Sequence, residues 1–288
     1  MRICSIGECM IELSNVKNDQ YNYGYAGDTA NSAIYLSRLG AETSYITSIG
    51  NDILSKRMVK FLKNEKIKTD KIYINNKKTI GLYIIQNDLN GEKNFYQWRS
   101  DASAKTLFDN INIKLLIKSL SKFNCIYFSG ITLSIYNDSN RNKFYLFLKK
   151  LKKNGLKIYF DFNVRINNWV DKKLALKSIL KFSQIADLVF LTKDDLKLLG
   201  IENYKKFITK NFVDKIVIYR SNNGEISVYN DNEFLIYKFK LINKVKDTTG
   251  CGDAFNACFI YNYFHKNKIK DCINMAHKLG KIVAQSKG

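Results

Sequence analysis

Residues 246–255 read KDTTGCGDAF: two threonines, two glycines either side of a cysteine, then an aspartate ahead of an apolar run with helical spacing. Glycine is scarce in this chain, 15 among 288 residues, where average usage of about 7% predicts roughly 20. Gly250 and Gly252 in one short loop therefore ask for a reason. Alternate glycines entering a helix leave the N–H groups of Gly250, Cys251 and Gly252 unobstructed beside the positive end of the helix dipole, a geometry that binds phosphate. Asp253 sits awkwardly for a site that holds an anion. It is well placed to take a proton from an attacking hydroxyl as a phosphoryl group transfers, with the loop N–H groups stabilising the transferring oxygens. The same residues also read as an ordinary tight turn with an aspartate cap.

Short β-branched runs alternate with amphipathic helical patterns along most of the chain, which predicts an α/β fold with a mostly parallel sheet covered on both faces. RICSIG reads as the first strand, and a helix begins near Asp28 or Thr29, with Gly40 as its stop. CIYFSG, KIYFDFN, ADLVFLT and KIVIYR read as further strands, and the last 35 residues give two helical patterns. Residues 10–25 and 72–98 break the alternation; their period-2 pattern predicts a small antiparallel sheet beside the main one, with a turn at NDLNGE. No repeat or linker divides residues 1–288, so one domain with an inserted flap is expected.

The formal charge is +21, with Lys+Arg at 47. The lysines are scattered as singles and pairs over nearly every helical pattern, without a basic tail or an aromatic-plus-arginine stripe, so no specific nucleic-acid partner is expected. Six cysteines form no CxxC pair and no metal-like spacing with the two histidines. No apolar run approaches the length of a membrane span, and the N-terminus leads straight into a strand pattern, so a cytoplasmic location with no membrane partner is expected.

DTTGCGDAF resembles the DTxGAGD signature of the PfkB, or ribokinase-like, carbohydrate kinases. GECMIELS, GYAGDTANSAIYLSRLG, GLYIIQNDLNGEKNFYQWR, IYFSGITLSI, IYFDFNVRINNW and ADLVFLTKDD are similar, in order, to the branch of 2-dehydro-3-deoxygluconate kinases, from about residue 3 to about residue 286. The resemblance implies a three-layer α/β/α fold in which the small sheet is a lid. It implies ATP and Mg2+ as cofactors, a sugar acid as substrate, and lids that pair between subunits in a homo-oligomer. Asp253 would be the catalytic base, with Gly250, Cys251 and Gly252 as anion hole. Gly27, Asp28 and Asn31 match the family's early substrate motif, Ala26 standing where a glycine is common.

A sugar acid brings a carboxylate, which the planar fork of arginine binds better than lysine does. With seven arginines against forty lysines, Arg165 and Arg99 stand out, and the resemblance makes Arg165, Arg99, Tyr83 and Tyr96 substrate ligands. It makes Thr192, Ser221, Gly224, Gly250, Gly252 and His277 nucleotide-binding and Asp195 an indirect metal ligand. Asp195 also reads as a helix-capping carboxylate. In IYRSNNG, Tyr219 and Ser221 stand where the family often has lysine and glycine, which removes one positive charge expected near the donor phosphates. The expected reaction is phosphorylation of 2-dehydro-3-deoxy-D-gluconate to its 6-phosphate. The alternatives are another PfkB kinase, fructokinase- or ribokinase-like, or a catalytically weak homologue that binds sugar acids.

Overall fold

The chain begins with β1 (Arg2–Ile6), β2 (Met10–Lys17), β3 (Gln20–Ala26), α1 (Asp28–Arg38), β4 (Glu42–Ile49), α2 (Ile53–Asn64) and β5 (Ile72–Ile74). There follow β6 (Leu82–Asn87), β7 (Lys93–Trp98), α3 (Ile113–Ser119), β8 (Cys125–Ser129), α4 (Gly130–Ile135), α5 (Asp138–Lys153) and β9 (Lys157–Asp161). The remainder is α6 (Lys172–Ser183), β10 (Leu188–Thr192), α7 (Lys193–Leu199), α8 (Tyr204–Asn211), β11 (Ile216–Arg220), β12 (Glu225–Asn230), β13 (Glu233–Lys238), α9 (Cys251–Phe264) and α10 (Ile269–Ala284). The computed structural model describes residues 1–17, 20–87, 93–109, 111–241 and 245–286.

Nine strands form the main sheet in the order β13-β12-β11-β10-β9-β8-β1-β4-β5. The run from β11 to β5 is parallel, and β12 and β13 add an antiparallel edge. Strands buried on both faces read as continuous apolar runs, and alternate residues serve opposite layers. In β8, Cys125 and Tyr127 join the core under α1, α9 and α10, while Ile126 and Phe128 join the core under α3, α5 and α6. Phe128 stacks on Phe160 at 4.8 Å and meets Phe144 edge-on at 5.1 Å. Such aromatic pairs contribute about 0.5–1.5 kcal/mol each beyond their buried area.

The second sheet has the order β3-β2-β6-β7. Its outer pairs are antiparallel as expected, but its central pair, β2 with β6, is parallel. The expected span 72–98 is also divided: β5 extends the main sheet beside β4, and only β6 and β7 belong to the lid. The turn expected at NDLNGE falls on residues 88–92, outside the described residues. Among the described residues no helix is long and apolar enough to cross a membrane.

With no proline in the chain, helix starts rest on side-chain caps. Asp52, Asn112, Asn137, Asp171 and Asn203 each accept the N–H three residues on, an arrangement worth about 1 kcal/mol per helix. The helices α1, α9 and α10 start instead on Gly27, Gly250 and Lys268 with no side-chain cap.

Candidate active site

The parallel strands β9, β10 and β11 end at Asp161, Thr192 and Arg220, and these residues line one cavity of about 750 Å³. Its opposite wall is the lid face bearing Met10, Tyr83, Phe95 and Gln97. Open parallel sheets bind their ligands at this carboxyl end. Two helices without a side-chain cap, α1 and α9, open onto the same space, with Gly27, Asp28 and Asn31 from one and Gly250, Gly252 and Asp253 from the other. A side chain at Gly27 would collide with the Glu8 carbonyl, so α1 can approach this closely only with glycine there. Gly250 adopts φ of +74°, the left-handed region that turns the loop into α9.

Asp253 is buried in the first turn of α9, and Asn31 Nδ2 donates to its Oδ2 at 2.9 Å. Burial, and after it the charge of Asp28, push the Asp253 carboxyl up to about 7, against the hydrogen bond from Asn31 and the guanidinium groups of Arg220 and Arg165. A carboxyl that titrates near neutrality is matched to taking a proton. Asp28 is itself held by the Thr29 N–H and by Asn163 Nδ2, both at 2.8 Å. Asn163 has φ of +32°, a positive value that asparagine tolerates better than most residues.

The loop offers fewer free donors than the three expected. The Cys251 N–H turns back to the Thr248 carbonyl at 3.2 Å, whereas Gly250 and Gly252 donate to no backbone acceptor among the described residues. The half-buried Cys251 thiol is pushed up to about 11 by burial and by Asp247 and Asp253, so it carries no thiolate at neutral pH.

Arg165 stands exposed on the cavity wall; its Nη1 donates to the Val164 carbonyl at 2.9 Å, and it makes no ion pair among the described residues. Tyr83 faces the same space from the lid, its hydroxyl donating to Glu12. A second, more apolar cavity of about 430 Å³ lies between β12, α9 and α10, lined by Leu241, Val245, Phe255 and Ala284. His277 lines it and stacks on Phe239 at 3.9 Å, with burial and Lys281 holding its imidazole below the usual range. Ser221 and Gly224 also line it, and the two cavities meet at Arg220, Ser221, Cys251 and Gly252. Thr192 caps α7, taking the Asp195 N–H at 3.1 Å.

Residues 1–288 match the profile of the pfkB family carbohydrate kinases. The chain belongs to that family. Among curated relatives, a 2-dehydro-3-deoxygluconokinase of Dickeya dadantii (strain 3937) is 33% identical over 296 residues, 99% of this chain and 95% of the relative. The crystal structure of a 2-dehydro-3-deoxygluconokinase from Thermotoga maritima has the same fold, with a TM-score of 0.86 at 21% identity and 100% and 95% of the two chains covered. Fructokinase from Xylella fastidiosa, solved with bound ATP, gives a TM-score of 0.85 at 17% identity, covering 100% and 93%. The chain is thus a carbohydrate kinase, an enzyme that transfers a phosphoryl group to an alcohol.

Three expected site residues of this kinase lie elsewhere or are otherwise engaged. Tyr96 pairs with Ile84 across the lid, whereas Tyr83 pairs with Gln97. The period-2 alternation of a strand therefore puts Tyr96 on the outer face, 54% exposed and away from the cavity. Arg99 pairs with Glu8, a carboxylate only 3% exposed, and lines a separate cavity of about 400 Å³ with Arg141 and Trp169. A buried carboxylate needs such a partner, and this one takes the guanidinium away from the main cavity. Asp195 has both oxygens committed: Oδ1 accepts the Val164 N–H at 2.7 Å, and Oδ2 accepts the Thr192 N–H at 2.8 Å and hydroxyl at 2.7 Å. It closes a capping box at the start of α7 and lines the main cavity. Among the described residues no group of three or more His, Cys, Asp or Glu is assembled to hold a metal ion.

Sequence reasoning missed Asp161, Asn163 and Arg220. Asp161 is buried at the cavity floor, and burial holds its carboxyl well above the usual range against the nearby Arg220. The scarcity of arginine that singled out Arg165 applies equally to Arg220 and was the available signal.

Proposed function

We propose that this kinase phosphorylates 2-dehydro-3-deoxy-D-gluconate at its terminal hydroxyl with ATP, giving the 6-phosphate. The observation that carries the reading is one cavity holding both Asp253, a carboxyl poised near neutrality, and Arg165, a guanidinium free of any carboxylate partner among the described residues. An acid group on the substrate supplies that partner through two parallel, charge-assisted hydrogen bonds. The Dickeya dadantii relative, a 2-dehydro-3-deoxygluconokinase, supports this substrate class.

On this reading the terminal O–H gives its proton to Asp253 as its oxygen forms a bond to the γ-phosphorus. The bond from that phosphorus to the bridging oxygen breaks, and its electron pair leaves on the β-phosphate of ADP. The N–H groups of Gly250 and Gly252 stabilise the γ-phosphate oxygens at the open start of α9. The adenine enters the apolar cavity beside His277 and Phe239, as an apolar, partly preformed cleft favours. The lid closes over the sugar and excludes water, which protects ATP from hydrolysis. Mg2+ accompanies the nucleotide; its chemistry is to neutralise phosphate charge. The described residues build no cage of their own for it, and the steps above do not depend on one.

The test is a panel of keto-deoxy acids and neutral sugars with Mg-ATP, run on the wild type and on Arg165→Gln. The proposal expects turnover of an acid and, in Arg165→Gln, a KM for that acid raised roughly tenfold or more, the worth of a charged hydrogen-bond pair. Turnover of fructose or ribose but of no acid overturns it.

A further inference from the structure

Among the described residues that line both cavities, Arg220 is the only cation. Arg220 ends β11 and lines both, its guanidinium carbon lying 4.8 Å from the centroid of the Phe255 ring. That stacking fixes the guanidinium plane without using its N–H donors. Of those donors, Nη1 reaches the Gly252 carbonyl at a long 3.4 Å, and Nε is buried with no hydrogen-bond partner. A Cβ placed on Gly252 would stand 3.5 Å from Nη1, so the guanidinium lies directly against the loop proposed to hold the transferring phosphate. The neighbouring residue does not compete for this position: Tyr219 points to the opposite layer and stacks on Tyr204 at 4.0 Å. Buried polar groups ordinarily find partners, and an arginine at the junction of two cavities with donors to spare is set to meet an anion that spans them.

We propose that Arg220 is the donor-phosphate ligand of this chain, its guanidinium bridging the nucleotide cavity and the Gly250–Gly252 loop and supplying the positive charge that Tyr219 does not. The inference rests on the ATP-dependent reading above, and it assigns to Arg220 the discrimination between a nucleotide that carries phosphates and one that does not. Arg220 also faces Asp253, together with Asp28, Asn31 and Arg165, and its charge favours the ionised carboxylate there.

Calorimetry with ATP, ADP and adenosine on the wild type, Arg220→Met and Arg220→Lys tests this, alongside steady-state kinetics. Arg220→Met is expected to lose roughly tenfold to hundredfold in affinity for ATP and ADP, the range of charge-assisted hydrogen bonds. Adenosine affinity and the KM of the sugar substrate should stay within about twofold, because neither carries the donor phosphates. Arg220→Lys keeps the charge and should recover much of the preference for ADP over adenosine; it serves as the readout if the methionine variant does not fold. In a folded Arg220→Met enzyme, which loses the charge beside Asp253, the acid limb of kcat/KM should move to higher pH. An Arg220→Met enzyme that binds ADP as the wild type does, or a variant that loses ADP and adenosine equally, overturns the assignment while leaving the kinase reading intact. A wild type that turns over a sugar without any nucleotide affinity overturns both.

Discussion

On the proposed mechanism Asp253 is the residue on which the chemistry turns, and its environment sets the pH at which it can work. Burial raises its carboxyl to about 7, with Asp28 adding to the rise. As a base it must be ionised, so activity is present above that pH and lost as pH falls through it. We therefore expect kcat/KM to fall close to tenfold per pH unit below about 7, as a pH–rate profile would register; a flat profile down to pH 5 would contradict the role. That Asp253, its glycine loop and Arg165 gather at one cavity was readable in the sequence, where scarce glycine and arginine stood at chemically telling positions. Arg99 and Tyr96 were misread for a physical reason. A strand's alternation fixes which face a side chain takes, and a buried carboxylate distant in sequence, Glu8, decides where an arginine goes. Neither is local information.

At the scale of elements, the two helices that open on the cavity both lack a side-chain cap. Five helices are closed by an Asx side chain, while α1 and α9 are left open where they meet the cavity. Gly250→Ala would force a side chain into φ of +74°, at a cost of about 1–2 kcal/mol that the loop can relieve only by shifting its N–H groups. The expected result is a kcat lowered by roughly tenfold or more, with the melting temperature changed by only a few degrees. An unchanged kcat would separate the loop from catalysis. The alternating βα pattern made most of the parallel sheet readable from sequence. The parallel contact of β2 with β6, and the attachment of β5 to the main sheet, were not, because a three-residue apolar strand carries no sign of which sheet it joins.

For the whole molecule, the lid presents Tyr23, Tyr96 and Trp98 on its outer face, 49%, 54% and 57% exposed. Exposed aromatics collected on one small sheet face suit an association surface. We propose that two copies of this chain pair there. Light scattering after size exclusion is expected to give twice the 33.4 kDa chain mass, with Trp98→Asp shifting the population to monomer; a wild type that stays monomeric at assay concentrations would overturn the pairing. On the proposed function, the +21 formal charge favours encounter with anionic substrates in general and specifies none of them.

The most direct test of the central claim is Asp253→Asn. The amide can still accept the Asn31 hydrogen bond and removes a buried charge, so the variant should be at least as thermostable as the wild type at pH 8. The account predicts a turnover lowered by roughly two to four orders of magnitude, the scale of general base catalysis, with ATP affinity retained. A folded Asp253→Asn enzyme that phosphorylates its sugar at near wild-type rate would contradict it.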